Sequence, residues 1–233
     1  MGLADELKTQ VKKTLSTRWT TRDGTAVPAP EYVGLANDAV KFGAATVLYA
    51  DLSDSTGMVS GQPDHFAAEV YKTFLYSAAR IIRSEGGEVT AYDGDRVMAV
   101  YLGDSKNTST ARSALKINYA LKHIVNPAIA AQYPQRPFTL RHVVGIDTSS
   151  QFVARTGVRG DNDLVWVGRA ANYAAKLTTL SEYPAWITGT VYDSLRDELK
   201  FNGNPRAAVW EERAWTAMNN LRIFRSNWTW SID

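Results

Sequence analysis

The chain has 233 residues, 45% of them hydrophobic, which is enough for a sizeable core and excludes a disordered chain. Its 26 basic and 24 acidic residues leave a net charge of +2, and no compact Lys/Arg stripe stands out, so nucleic acid is not an expected partner. The absence of cysteine excludes disulfides, thiolate metal sites and a cysteine nucleophile, and it suits a reducing, cytoplasmic location.

The N-terminal stretch MGLADELKTQVKKTL carries early acids and no long apolar centre, unlike a secretory leader. Glu6 stands where an N-myristoylation signal needs Ser or Thr. No apolar run is long enough to predict a membrane span. Residues 4–16 predict a polar helix with Leu7, Val11 and Leu15 on one stripe, and residues 19–43 a connecting segment rich in Thr, Gly, Pro and Asp.

Residues 45–51 predict a strand that closes on Asp51. Pro63-Asp64 opens a helix well, because Pro suits the first turn and an acid suits the positive end of the helix dipole. Phe66, Val70, Phe74 and Ile81 or Ile82 form its core stripe, and Gly86-Gly87 ends it. Strands follow at 88–92 and 96–102, around a tight turn at Asp93-Gly94. Residues 108–132 predict a second long helix in which Pro127 bends or ends the ordered part. Two strands, 138–147 and 151–156, are expected to be joined by Thr148-Ser149-Ser150. A third helix spans Gly168 to Leu180, and WIT at 186–188 is a further strand. The tail from Pro205 onward holds four of the seven tryptophans and predicts further strands, or a cover over the sheet or a partner chain. The order β-α-β-β-α-β points to an α+β sheet with helices on one face.

The chemistry concentrates at two places. In V47-L-Y-A-D51-L-S-D-S-T-G57, a carboxylate ends an apolar strand, and Asp95 sits in the following hairpin. In a β-α-β-β unit these two acids converge, and a divalent cation with its preference for oxygen ligands relieves their repulsion. Two such ions, roughly 3.5–4 Å apart, would hold the attacking and leaving oxygens of a phosphoryl transfer. Ser53, Ser55, Thr56 and Gly57 are small enough for backbone N–H groups to approach a triphosphate. Asp54 and Asp93 are spare acids: Asp54 is expected to face solvent or cap the loop, and Asp93 to be a turn residue. The second place is Asn172 and Lys176, four apart on one helix face beside small alanines. The three histidines show no metal spacing, and no nucleophile elbow supports a Ser/His/Asp triad.

In this order and spacing the pieces resemble the class III nucleotidyl cyclase catalytic domain, over about residues 44–190. The resemblance rests on V47-L-Y-A-D51 with its loop, D93-G94-D95, V144-G-I146, and W166-V-G168-R-A-A-N172-Y-A-A-K176. It implies a ferredoxin-like βαββαβ cyclase domain, flanked by an N-terminal helix and connecting segment (1–43) and a C-terminal β-rich extension (191–233). It also implies a reaction in which a 3′-hydroxyl attacks the α-phosphorus of a nucleoside triphosphate. Two Mn²⁺ or Mg²⁺ ions would be held by Asp51, Leu52 and Asp95. A homodimer would have composite sites, with Asn172 and Lys176 supplied by the second subunit.

Departures from the family pattern narrow the substrate. Adenylyl cyclases read adenine with a Lys where Ala91 stands and with an Asp where Val165 stands. A base-reading site discriminates through such polar groups, because mispaired ones stay unsatisfied. Losing both points away from ATP. Lys176 replaces the usual transition-state Arg and keeps the charge without the bidentate fork; Arg169 and Arg96 are candidate auxiliaries. The chain is most similar to the bacterial pyrimidine cyclases of antiphage defence, which implies UTP as the favoured substrate. Tyr49, Tyr92 and Arg96, with Ala91 and Val165, are candidates for a small base pocket. Two rival readings are a cyclase-fold module that binds a nucleotide or a partner without turnover, and a cytidylate or purine cyclase. A polymerase-like palm would need a basic groove that the low net charge does not provide.

Overall fold

In the computed structural model, which describes residues 2–232, the chain runs in order through these elements. They are α1 (Leu3–Ser16), β1 (Thr20–Asp23), β2 (Asp38–Leu52), α2 (Ser55–Gly61), α3 (Asp64–Ser84), β3 (Glu88–Asp93), β4 (Arg96–Tyr101), α4 (Lys106–Ala120), α5 (Asn126–Gln132), β5 (His142–Val158), β6 (Asp161–Val167), α6 (Arg169–Leu177), β7 (Ala185–Thr188), α7 (Gly189–Asp193), α8 (Asp197–Lys200), β8 (Phe201–Asn202), β9 (Ala207–Ala208), β10 (Glu211–Trp215) and β11 (Leu221–Ser226). The chain divides into two units, one of Met1–Ala44 with Ser149–Gly168 and the other of Ala45–Thr148 with Arg169–Asp233. Strands β2 and β5 each give one half to each unit.

In the second unit the strands lie in the order β10-β11-β7-β5-β2-β4-β3. The middle strands are buried on both faces, so they read as continuous apolar runs rather than alternating ones: Val47 and Leu48 are consecutive and both fully buried, and Val97 to Tyr101 are all buried. Strand β4 pairs antiparallel with both β2 and β3, and β5 pairs parallel with β7. The expected β-α-β-β-α-β order is realised by β2, α3, β3, β4, α4 and β5.

Helix α3 buries the predicted stripe of Phe66, Val70, Phe74, Ile81 and Ile82 in a cluster with Leu48, Ala50, Val97 and Ala99 from one sheet face. The expectation of helices on one face only needs correction. The neighbouring residues Val143, Trp186 and Ile223 point the other way and pack with Leu177 of α6 and with Trp215. Helix α6 therefore covers the opposite face. Its close approach explains Gly145: a Cβ there would lie 2.2 Å from the Ala174 carbonyl oxygen.

Other differences have local causes. The expected break at Thr148-Ser149-Ser150 is absent, and β5 runs on through it. Buried Thr148 donates its hydroxyl to the Ala45 carbonyl at 3.2 Å and shares a 3.1 Å bond with the Thr46 hydroxyl, so its polar side chain is satisfied without leaving the sheet. The long helix is interrupted by a π-helical turn, Leu121–Val125, immediately before Pro127 in the first turn of α5. A wider turn there accommodates a residue with no N–H to donate. The tail supplies both expected features: β10 and β11 extend the sheet beyond β7, while Trp228 and Trp230 pack on the main core.

The first unit holds α1, parallel β1–β2 pairing and the β5–β6 hairpin. Phe42 stacks on Trp166 at 5.8 Å, and Trp19 meets Phe152 edge-on at 5.0 Å. Strand β1 and the early start of β2 fall in the segment expected to be a connection. In D38-A-V-K-F42, buried Ala39, Val40 and Phe42 alternate with exposed Lys41 only at the end, too weak a pattern to announce a strand.

Candidate active site

Strand β2 delivers Asp51 to the end of the sheet directly opposite Arg96 of β4. Arg96 Nη2 donates to Asp51 Oδ2 at 2.9 Å, and the Thr178 hydroxyl donates to the same oxygen at 3.3 Å. Burial raises the Asp51 pKa above the ordinary carboxylate value; the Arg96 hydrogen bond and charge oppose this, and the negative charge of Asp95 adds to it. The two expected acids are thus electrostatic neighbours. Among the described residues, no group of three or more His, Cys, Asp or Glu side chains gathers as a ready metal cage.

The β3–β4 register pairs Asp93 with Arg96, so the two residues of the turn are Gly94 and Asp95, one position later than expected. Gly94 has φ +60° while Asp95 does not enter the left-handed region, the pattern of a II′ hairpin. Asp51, Arg96 and Asp93 stand in one row across three strands, and Tyr49, Met98 and Ala91 in the next. Directly opposed residues share a sheet face. These six therefore face the α6 side, with the Arg96 guanidinium 5.9 Å from the Tyr49 ring centroid. Burial raises the Tyr49 phenol pKa. Tyr92 pairs with Val97 in the alternate register, so it projects to the other face, where it is 56% exposed. Tyr49 and Ala91 can line one pocket, and Tyr92 cannot share it. Val165 is exposed on β6 in the first unit.

After Leu52, which is buried, the loop turns sharply. Asp54 is exposed and takes a left-handed conformation at φ 60°, with no side-chain cap bond, and Ser55–Gly61 form a short helix where a bare loop was expected. The Ser53 N–H donates to the Arg141 carbonyl at 3.0 Å, and the Ser53 hydroxyl is buried without a protein partner. Gly57 leaves room for the Asp54 carboxylate, which would lie 2.5 Å from a Cβ at that position.

Helix α6 buries Ala170, Ala171, Ala174 and Leu177 and leaves Asn172 and Lys176 exposed. Lys176 Nζ lies 3.9 Å from the Met218 sulfur. Arg169 begins the helix and makes two contacts to the fully buried carboxylate of Asp147, at 3.0 and 3.2 Å, and one to the Thr148 carbonyl at 2.8 Å. The Thr188 hydroxyl donates to Asp147 at 2.6 Å. Burial raises the Asp147 pKa, opposed by Thr188 and Arg169. Arg169 is thereby committed to holding the first turn of α6 against β5 and β7. Asp147 was legible as an acid closing an apolar run, H142-V-V-G-I-D147; Thr178 carried no sequence signal and is found only through its contact with Asp51.

No family model matches the chain. It is 53% identical to a uridylate cyclase of Xanthomonas perforans and 54% identical to one of Burkholderia cepacia, each over 234 residues covering 100% of both chains. Among solved structures it is similar to the adenylyl cyclase CyaB from P. aeruginosa, with a TM-score of 0.64 and 19% identity over 81% of this chain and 95% of that one. At that identity the likeness speaks for the fold, which is that of a class III cyclase domain. No helix among the described residues is long and apolar enough to cross a membrane. With a β-α-β-β-α-β sheet of cyclase type and full-length identity above half, the chain belongs to the uridylate cyclase family.

Proposed function

We propose that the chain cyclises UTP to 3′,5′-cyclic UMP and pyrophosphate. The observation that carries this reading is the end-to-end 53% identity to a relative named uridylate cyclase. In the reaction the 3′-oxygen bonds to the α-phosphorus while the bond from that phosphorus to the bridging oxygen of the β-phosphate breaks. Pyrophosphate takes the electron pair, and the hydroxyl proton passes to solvent.

The donor set suits divalent cations, because Asp51 and Asp95 are hard oxygen ligands whose mutual repulsion a cation relieves. Asp51 and Asp95, with the Leu52 backbone, would hold two divalent ions, Mn²⁺ or Mg²⁺, which when bound would supply Lewis-acid activation of the 3′-oxygen and charge neutralisation of the triphosphate. Ser53, Ser55, Thr56 and Gly57 receive the triphosphate. Asn172 and Lys176 come from a second copy, so the working unit is a homodimer with two composite sites; there Asn172 orients the ribose and Lys176 neutralises developing phosphate charge. Arg169 acts by holding α6 rather than by touching phosphate, since its guanidinium is already bonded to Asp147. Tyr49 and Arg96 border the base, and Ala91 and Val165 withhold the polar groups that would select adenine. The product serves as a cytoplasmic second messenger in antiphage defence.

A second reading, a nucleotide-binding module without turnover, draws on the Arg96 ion pair that already engages Asp51. Incubation of the full chain with UTP, CTP, GTP and ATP separately, with Mn²⁺, separates the two. Cyclic UMP as the main product by mass supports the cyclase reading. No cyclic product from any of the four triphosphates supports the binding module, and a dominant product from another base overturns the choice of uracil.

A further inference from the structure

A cleft of about 250 Å³ opens within the second unit, at the sheet end where β2 stops and β5 begins. Ser53, Lys122, Arg141 and His142 stand on its wall, with Asn227 of the C-terminal tail. His142 is only 6% exposed, and its Nε2 is buried without a partner. The Ser53 hydroxyl is likewise buried with none. Such groups ask for a ligand, because a buried polar atom left unpaired forgoes the hydrogen bonds that water would give it. Burial, with the Lys122 charge adding to it, pushes the His142 pKa down to about 3, so the ring is neutral and carries one N–H.

The charges on the wall indicate what the ligand is. Lys122 Nζ donates to the carbonyl and side-chain oxygens of Asn227 at 2.9 and 2.7 Å, both neutral acceptors. Burial lowers the Lys122 pKa, as expected of an ammonium held partly away from water with no carboxylate beside it. The Arg141 side chain makes no ion pair among the described residues. Glu182 is the one acid on the described wall, and it is already bonded to Arg225 at 2.9 Å. The wall therefore carries two cations and no free carboxylate, a balance that an anion corrects and a water molecule does not. The space is below the roughly 300 Å³ at which pockets for drug-sized ligands begin, so it is too small for a whole nucleotide. Ammonium, guanidinium, hydroxyl and imidazole N–H together suit the four oxygens of an inorganic phosphate, with the charged donors making the stronger bonds. The Ser53 N–H donates to the Arg141 carbonyl at 3.0 Å, which fastens this wall to the first residue of the loop assigned to the triphosphate.

We propose that this cleft binds a small oxyanion of the phosphate class, held by Lys122, Arg141, the Ser53 hydroxyl and the His142 N–H, at a site separate from the substrate triphosphate. This goes beyond the cyclase reading, and its test reads binding without turnover, so either idea can fail without the other. The full chain is titrated with inorganic phosphate in chelator at fixed ionic strength, followed by calorimetry and by the ring resonances of its three histidines. A single saturable site is expected, with the His142 ring shifting while His65 and His123 stay still. Lys122→Met and Arg141→Met should each weaken binding about fivefold or more. Lys72→Met, which removes an exposed cation of α3 outside the cleft, should leave binding unchanged. A thermal melt checks that the variants fold, and the ring shift is read on the parent, so the proposal does not depend on them. No saturable binding would overturn it and leave water as the occupant of the cleft. So would an unmoved His142 ring, or an equal loss of affinity in Lys72→Met. Release of the bound phosphate by added UTP would make the cleft part of the substrate site and overturn it as well.

Discussion

The Arg96 guanidinium sits 2.9 Å from Asp51 Oδ2, directly across the β2–β4 ladder. The carboxylate that ends the central strand therefore already carries a counter-charge, and a metal ion has to compete with Arg96 for it. Arg96→Ala should tighten Mn²⁺ binding to the full-length protein several-fold in calorimetric titration. Equal or weaker binding would mean that Arg96 orders the acid instead of competing for it.

Asp51→Ala and Asp95→Ala should each abolish formation of cyclic nucleotide while leaving the fold intact. Mass detection of product and a thermal melt decide this together. Retained turnover in either variant removes that acid from the proposed metal pair.

Asp51 also gives a pH signature. Burial raises its pKa above the ordinary 3.8, more than Arg96 can offset. A carboxyl with a raised folded pKa favours the fold while protonated, and that contribution is lost as pH climbs through the raised value. In chelator, the parent should therefore lose melting temperature relative to Asp51→Asn as pH rises from about 3.8 upward through the raised value. A gap between the two proteins that stays constant over this range would show that Asp51 is not destabilised by its surroundings.

Asn172 and Lys176 are exposed on α6, and the proposed composite site is tested through them. Asn172→Ala should cost about 3 kcal/mol of barrier, the scale of one preorganised donor. Mixing Asp51→Ala with Lys176→Ala should recover part of the activity through one intact composite site per heterodimer. If mass spectrometry finds mixed dimers and turnover stays absent, the site is not shared between subunits.

Gly145 tests how α6 is held. A methyl group at this position would collide with the Ala174 carbonyl, 2.2 Å away, and that carbonyl belongs to a packed helix backbone that cannot rotate aside. Gly145→Ala should cost roughly 1–3 kcal/mol of stability. It should also lower turnover beyond the loss of folded protein, because α6 carries Asn172 and Lys176. A melting temperature equal to the parent's would show that the helix can shift freely.

Much of this was present in the linear chain because its causes are local. The stripe of Phe66, Val70 and Phe74 needs only helical periodicity, and the Asp93–Arg96 turn needs only a glycine between two apolar runs. The acids 51 and 95 could be paired in advance because a strand, a helix and a hairpin in succession bring those two ends together. What failed depended on distant partners. Thr148 looked like a break because its hydroxyl is polar, but its acceptor is a carbonyl 103 residues away. Tyr49 and Tyr92 looked equivalent beside the two acids, and only the register, which advances one face per residue, sends them to opposite sides.

The residues of the chain thus determined by themselves most of the helices and strands and which side chains are candidates for the chemistry, since periodicity and charge act between near neighbours. Only the tertiary structure decided that Arg96 neutralises Asp51, that Asp147 and Arg169 pin α6, and that α1 presents its apolar stripe to solvent. Each of those rests on strand register, on burial or on which face of a helix meets a neighbour, and these arise only when segments far apart in sequence are brought into contact.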